Sequence, residues 1–85
     1  NNNYIAKQLP TGEYHISARM EIEKVNDLLD IDLPESDDYL TVGGWILNEY
    51  QSFPKLNEVI QCGNWNVKVT KKTANKIEEI LLSHK

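Results

Sequence analysis

The chain has 85 residues, 9 basic and 13 acidic side chains and a net charge of −4, a size that holds one hydrophobic core and excludes a catalytic domain joined to a separate cofactor domain. Hydrophobic residues at 40% and charged residues at 26% belong to a chain that folds, while the acidic balance argues against nucleic acid, whose binding is driven by a basic stripe. No apolar run approaches the roughly 18 residues that cross a bilayer, so no direct membrane insertion is expected, and the lone Cys62, which can form no internal disulfide, suits a reducing compartment.

The polar Asn1-Asn2-Asn3 reads as a frayed or boundary segment, and residues 1–9 as an extension ahead of a domain at 10–85. Pro10-Thr11-Gly12-Glu13 is a turn signal, because proline fixes one φ and glycine admits a positive one. Tyr14-His15-Ile16-Ser17 follows as a short strand with Tyr14 and Ile16 on one face. Between Met20 and Leu29, Ile22, Val25, Leu28 and Leu29 recur at three and four residues and predict a helix, with Glu21 and Glu23 at its positive end. Asp30 to Tyr39 has no period, contains Pro34 and reads as a charged loop, of the kind that carries function.

Thr41 is the expected N-cap of a second helix, whose stripe of Val42, Trp45, Ile46, Tyr50 and Phe53 runs to Pro54 and puts Trp45 in the core. Gly43-Gly44 in its first turn costs about 1 kcal/mol per glycine relative to alanine, so a close approach to another backbone is expected there; the alternative, a helix N-terminus that cradles a phosphate, is opposed by Asp37 and Asp38 just upstream, which would repel an anion. Lys55 to Glu58 is a turn with Asn57 suited to a left-handed conformation. Val59–Cys62 and Trp65–Val69 alternate as strands joined by Gly63-Asn64, a hairpin signal, with Trp65 facing the core in preference to standing as an exposed contact. Thr73-Ala74-Asn75 turns into Lys76–Leu82, whose Ile77, Ile80, Leu81 and Leu82 fit a strand or a short terminal helix, the strand being preferred. The predicted order is β-α-α-β-β-β, an α+β fold with two helices on one face of a mostly antiparallel sheet.

Charge is unevenly spread along these elements. Residues 21–38 carry eight acids against one base, Lys24, whereas residues 55–85 carry six bases and three acids. The acids of Asp30, Asp32, Glu35, Asp37 and Asp38 are hard oxygen donors of the kind magnesium and calcium prefer, and they define a candidate weak divalent site. The run is not an EF-hand loop, because Pro34 falls on a ligand position and Glu35 on the required glycine. Its alternative is a solvated loop in which one aspartate caps the next helix. Asp37, Asp38 and Tyr39 are the candidate interaction residues. No glycine-rich phosphate loop is present, and His15 with Cys62 is the one thiol–imidazole pair, in contexts that do not suggest an activated thiolate. No catalytic residue and no resident cofactor is expected.

The run from Asp32 to Leu47, Asp-Leu-Pro-Glu-Ser-Asp-Asp-Tyr-Leu-Thr-Val-Gly-Gly-Trp-Ile-Leu, resembles the signature of the transporter-associated domain of the CorC/HlyC family. Ala18-Arg19 with Ile22 to Leu29, and Phe53-Pro54-Lys55-Leu56-Asn57-Glu58-Val59, are similar to the family's flanking motifs, with Ala18 and Asn57 where glycine is usual. The resemblance covers nearly all of residues 12–80. It implies the C-terminal module of a magnesium/cobalt efflux or hemolysin-related membrane protein, on the cytoplasmic face, with adjacent CBS repeats and a membrane domain of the same chain as partners and a homodimer as assembly. It implies an α+β fold related to a FAD-binding domain of certain oxidases, and a non-catalytic role in modulating ion transport. Two alternatives remain: a small-ligand module taking a nucleotide or flavin, against which the acidic loop and the lack of phosphate-binding residues argue, and a purely structural dimerisation domain.

Overall fold

A computed structural model of the chain describes residues 3–85, so the Asn1-Asn2 part of the N-terminal segment lies outside the described residues. The alternating runs form strands β2 (Tyr14–Ser17), β3 (Val59–Cys62), β4 (Trp65–Lys72) and β5 (Ile77–His84), preceded by a short β1 (Ala6–Gln8). The 3.6-periodic runs form helices α1 (Ile22–Leu29) and α2 (Val42–Tyr50). All five strands make one antiparallel sheet in the order β1-β2-β5-β4-β3.

Register decides which face is buried. The pairs Tyr14↔Leu82, Ile16↔Ile80, Val67↔Leu82, Val69↔Ile80 and Ile60↔Val67 put the apolar member of each strand on one side. These side chains form a single cluster with Ile22 and Val25 of α1 and Val42, Trp45 and Ile46 of α2, so both helices cover the same face. The opposite face carries His15, Lys68, Leu81 and Glu79, with His15 Nε2 and Glu79 Oε1 2.9 Å apart. Trp45 is fully buried, and removing so large a side chain costs about 3–5 kcal/mol, a large share of the roughly 5–15 kcal/mol that holds a domain together.

The α+β class and the antiparallel sheet are as expected, and three details differ. The expected order lacks β1. Ala6-Lys7-Gln8 has no alternation to reveal a strand; it is tied in through Ser17, whose N–H donates to the Ile5 carbonyl at 2.7 Å and whose Oγ accepts from the Ile5 N–H at 2.8 Å. Leu28 is 62% exposed, because the eight-residue α1 turns Ile22, Val25 and Leu29 inward and Leu28 stands one position, about 100°, away from Leu29. Helix α2 stops at Tyr50 rather than before Pro54. Gln51 takes the left-handed conformation at φ 57° and its N–H returns to the Leu47 carbonyl, while Pro54 disfavours helix at Phe53. Phe53 still packs against the core, with Lys72 Nζ 4.6 Å from its ring centre.

The two helices begin side by side. Glu21 and Thr41 form an isolated antiparallel bridge, the Ile22 N–H donates to the Leu40 carbonyl and the Val42 N–H to the Met20 carbonyl. Thr41 Oγ1 accepts from the Gly44 N–H at 3.1 Å, so the predicted cap is formed by threonine and not by an aspartate of the preceding loop. The Gly43 N–H donates to the Ala18 carbonyl at 2.8 Å, and a Cβ on Gly43 would stand 3.3 Å from that oxygen. This is the close backbone approach that the glycine pair foretold.

Candidate functional site

The acidic segment between α1 and α2 is pinned at three points. Asp30 leaves α1 in the left-handed conformation, at φ 55°, with its N–H on the Asn26 carbonyl. The Asn26 side chain then holds Leu33 from both sides, accepting its N–H at 2.7 Å and donating Nδ2 to its carbonyl at 3.0 Å. Leu33 itself is buried in the core. Further on, Ser36 and Tyr39 form a bridge, Ser36 Oγ accepts from the Asp38 N–H, and the Tyr39 hydroxyl donates to the Pro34 carbonyl at 2.9 Å. The backbone is thereby fixed while its carboxylates face water.

Asp30, Asp32, Glu35, Asp37 and Asp38 are all exposed, and none forms an ion pair with a described residue. They do not converge. Asp32 lines a hollow of about 240 Å³ between the loop and the Gly63-Asn64 hairpin, together with Glu49, Cys62 and Trp45, whose indole N–H finds no acceptor among the described residues. Glu35 lines a separate hollow of about 70 Å³ with Glu23, Ser36, Tyr39 and Leu40. Among the described residues no three carboxylate, imidazole or thiol side chains gather as a metal-holding group. The donor set therefore does not fit a resident ion, whose affinity needs several oxygens at one centre.

Tyr39 sits half-buried at the end of the loop. Burial, then the charges of Glu49 and Asp38, push its phenol above the ordinary value, so it stays neutral and keeps its proton on Pro34. Glu49 and Glu23 enter this acidic surface from the helices. In the sequence Glu49 is only a polar interruption of an apolar stripe, and nothing local shows that the fold brings it beside the Asp32 and Tyr39 ends of the loop.

The thiol–imidazole pair is separated by the sheet. Cys62 is buried on the helix-covered face and His15 lies on the open face against Glu79. Burial, then Glu49, raise the Cys62 thiol to about 11, which suppresses the nucleophilic thiolate.

The sequence profile of the CorC_HlyC family, described as a transporter associated domain, matches residues 7–85. Solved structures agree in fold. A transporter associated domain CorC_HlyC from Nitrosomonas europaea superposes with a TM-score of 0.81 at 21% identity, covering 99% of this chain and 100% of that one. The corresponding domain of a Xylella fastidiosa Temecula1 hemolysin, solved in complex with Mg2+ and Mn2+, gives 0.75 at 17% identity over 95% of this chain and 98% of that one. A transporter associated domain from a CBS domain protein of Porphyromonas gingivalis gives 0.74 at 24% identity over 91% and 93%. At these identities the likeness is one of fold. No curated protein matches the chain.

Proposed function

Since the chain belongs to the CorC_HlyC family of transporter-associated domains, we propose that it is a non-catalytic regulatory module of a membrane ion transporter-like protein, and that its acidic loop meets a neighbouring domain of that protein. The observation that carries this reading is the loop itself: a backbone pinned by Asn26, Leu33 and Tyr39 presents exposed carboxylates with no ion partner among the described residues. A rigid display of unneutralised charge is costly within a domain and useful against a basic surface, where it sets orientation and partner choice. The P. gingivalis relative comes from a CBS domain protein, which makes CBS repeats the nearest candidate for that surface. The membrane domain and the cytoplasmic setting belong to the same proposal. A contact of this kind would couple the module to the transporter's state by about 1–3 kcal/mol.

The test is a double substitution, Asp37→Asn with Asp38→Asn, in the full-length protein. Both residues are exposed and the backbone contacts of the loop do not use their carboxylates, so the domain stays folded. Altered regulation of transport with an unchanged melting temperature of the domain is the expected result. Unaltered transport removes the loop from the mechanism.

A second reading has one observation behind it, the Xylella neighbour solved with Mg2+ and Mn2+. In that reading the same loop takes a divalent cation loosely, through water, since its carboxylates do not meet at one centre.

A further inference from the structure

Apart from the acidic loop, the fold leaves an open groove of about 440 Å³ between the start of α2, the turn before β5 and the residues after β2. In a chain with a net charge of −4, its lining contains Arg19 and Lys76 and no carboxylate. Neither cation forms an ion pair with a described residue. Two neutral donors stand with them. The Thr41 hydroxyl accepts from the Gly44 N–H, which leaves its own proton to give; Asn75 accepts through Oδ1 from Thr73, which leaves its side-chain NH2. The Tyr4 ring and Leu47 supply an apolar wall.

The sequence holds no phosphate-binding motif, which argues against a nucleotide, but the fold assembles these donors from separate segments. From this set we infer a binding site for a small phosphorylated ligand with an aromatic or apolar body. The size lies in the range of about 300–1,000 Å³ typical of small-molecule sites, which combine apolar walls with a few convergent polar groups. An anion fits because two cations without an ion pair among the described residues share one lining, and phosphate suits a guanidinium and an ammonium flanked by hydroxyl and amide donors. The α2 amides are not the anchor: the Val42, Gly43 and Gly44 N–H groups already donate to Met20, Ala18 and Thr41. Recognition therefore falls to the side chains, with the helix dipole as background. None of these residues belongs to the acidic loop, so the site stands or falls independently of the contact proposed above.

The probe is adenosine monophosphate, titrated into the chain in metal-free buffer and followed by calorimetry and amide chemical shifts, with inorganic phosphate and adenosine as separate arms. Saturable binding is expected, stronger than for either arm, with shifts at Arg19, Thr41, Asn75 and Lys76. The double variant Arg19→Gln with Lys76→Gln, both exposed side chains whose loss leaves the melting temperature unchanged, is expected to weaken it about tenfold or more. Lys76→Gln alone gives an intermediate loss. Absence of saturable binding at millimolar concentration, phosphate or adenosine binding as tightly as the whole probe, or full affinity in the double variant each overturns the inference. So does an acidic peptide that shifts these residues when the probe does not.

Discussion

Cys62 is a core side chain, and its chemistry follows from that. The folded thiol is raised to about 11 from an ordinary 9.0, so folding favours the protonated form. The sign of the linkage follows: the stability tied to this neutral thiol is fully present below about pH 9, the unfolded value, and is lost as pH rises towards 11. A thiol reagent at pH 8 should therefore label Cys62 only as fast as the chain opens, and denaturant should accelerate labelling. Replacement by alanine should flatten the fall in melting temperature between pH 9 and pH 11. Prompt stoichiometric labelling of the folded chain would show that the thiol is not buried as described. Trp45, Asn57 and the Gly43-Gly44 pair were readable at this scale, because each is dictated by bulk or by local backbone conformation: Asn57 takes φ 65°, as its turn position implies.

At the scale of elements, Asn26 matters more than the acids that draw the eye. One amide satisfies both backbone groups of Leu33, converting a connection between the helices that holds no helix or strand into a fixed ledge. Asn26→Ala should cost about 1–3 kcal/mol, seen as a lower denaturant midpoint, and should speed hydrogen exchange at the Leu33 amide. Asn26→Asp, which keeps the acceptor and loses the donor, should fall between. An alanine variant as stable as the parent would mean that burial of Leu33 alone holds the loop. The helices and β2 to β5 were legible because their periods of 3.6 and 2 are written in consecutive residues. Strand β1 was not, since Ala6–Gln8 pairs through its backbone and the decisive contact, Ser17 with Ile5, is made by a polar residue. The end of α2 was missed for a related reason: Phe53 is apolar and packs on the core, so it prolongs the stripe, but it does so from beyond a left-handed Gln51.

Across the whole molecule, the charge separation along the chain carries only partly into its surface. Asp32 and Glu35 line two separate hollows, while Arg19 and Lys76 line an open groove that shares no residue with those two, although Arg19 also lines an adjoining hollow with Glu21 and Lys24. Because no three of the loop carboxylates gather at one centre, magnesium or calcium up to millimolar concentration should give no saturable rise in melting temperature beyond the general effect of salt. A saturable rise at micromolar concentration would mean that the carboxylates gather around the ion, and would favour the divalent reading of the loop.

The amino-acid sequence by itself determined the fold class, the two helices, four of the strands, the buried Trp45 and the family signature from Asp32 to Leu47. Each depends on patterns within a few turns or one hairpin, where propensity and periodicity act. Only the tertiary structure decided that β1 joins the sheet, that Asn26 clamps Leu33, that no three of the loop acids gather at one centre and that Arg19 and Lys76 line one groove. Those outcomes rest on which distant segments pack together, and a side chain's polarity alone does not say whether the fold will turn it towards solvent, a backbone group or another charge.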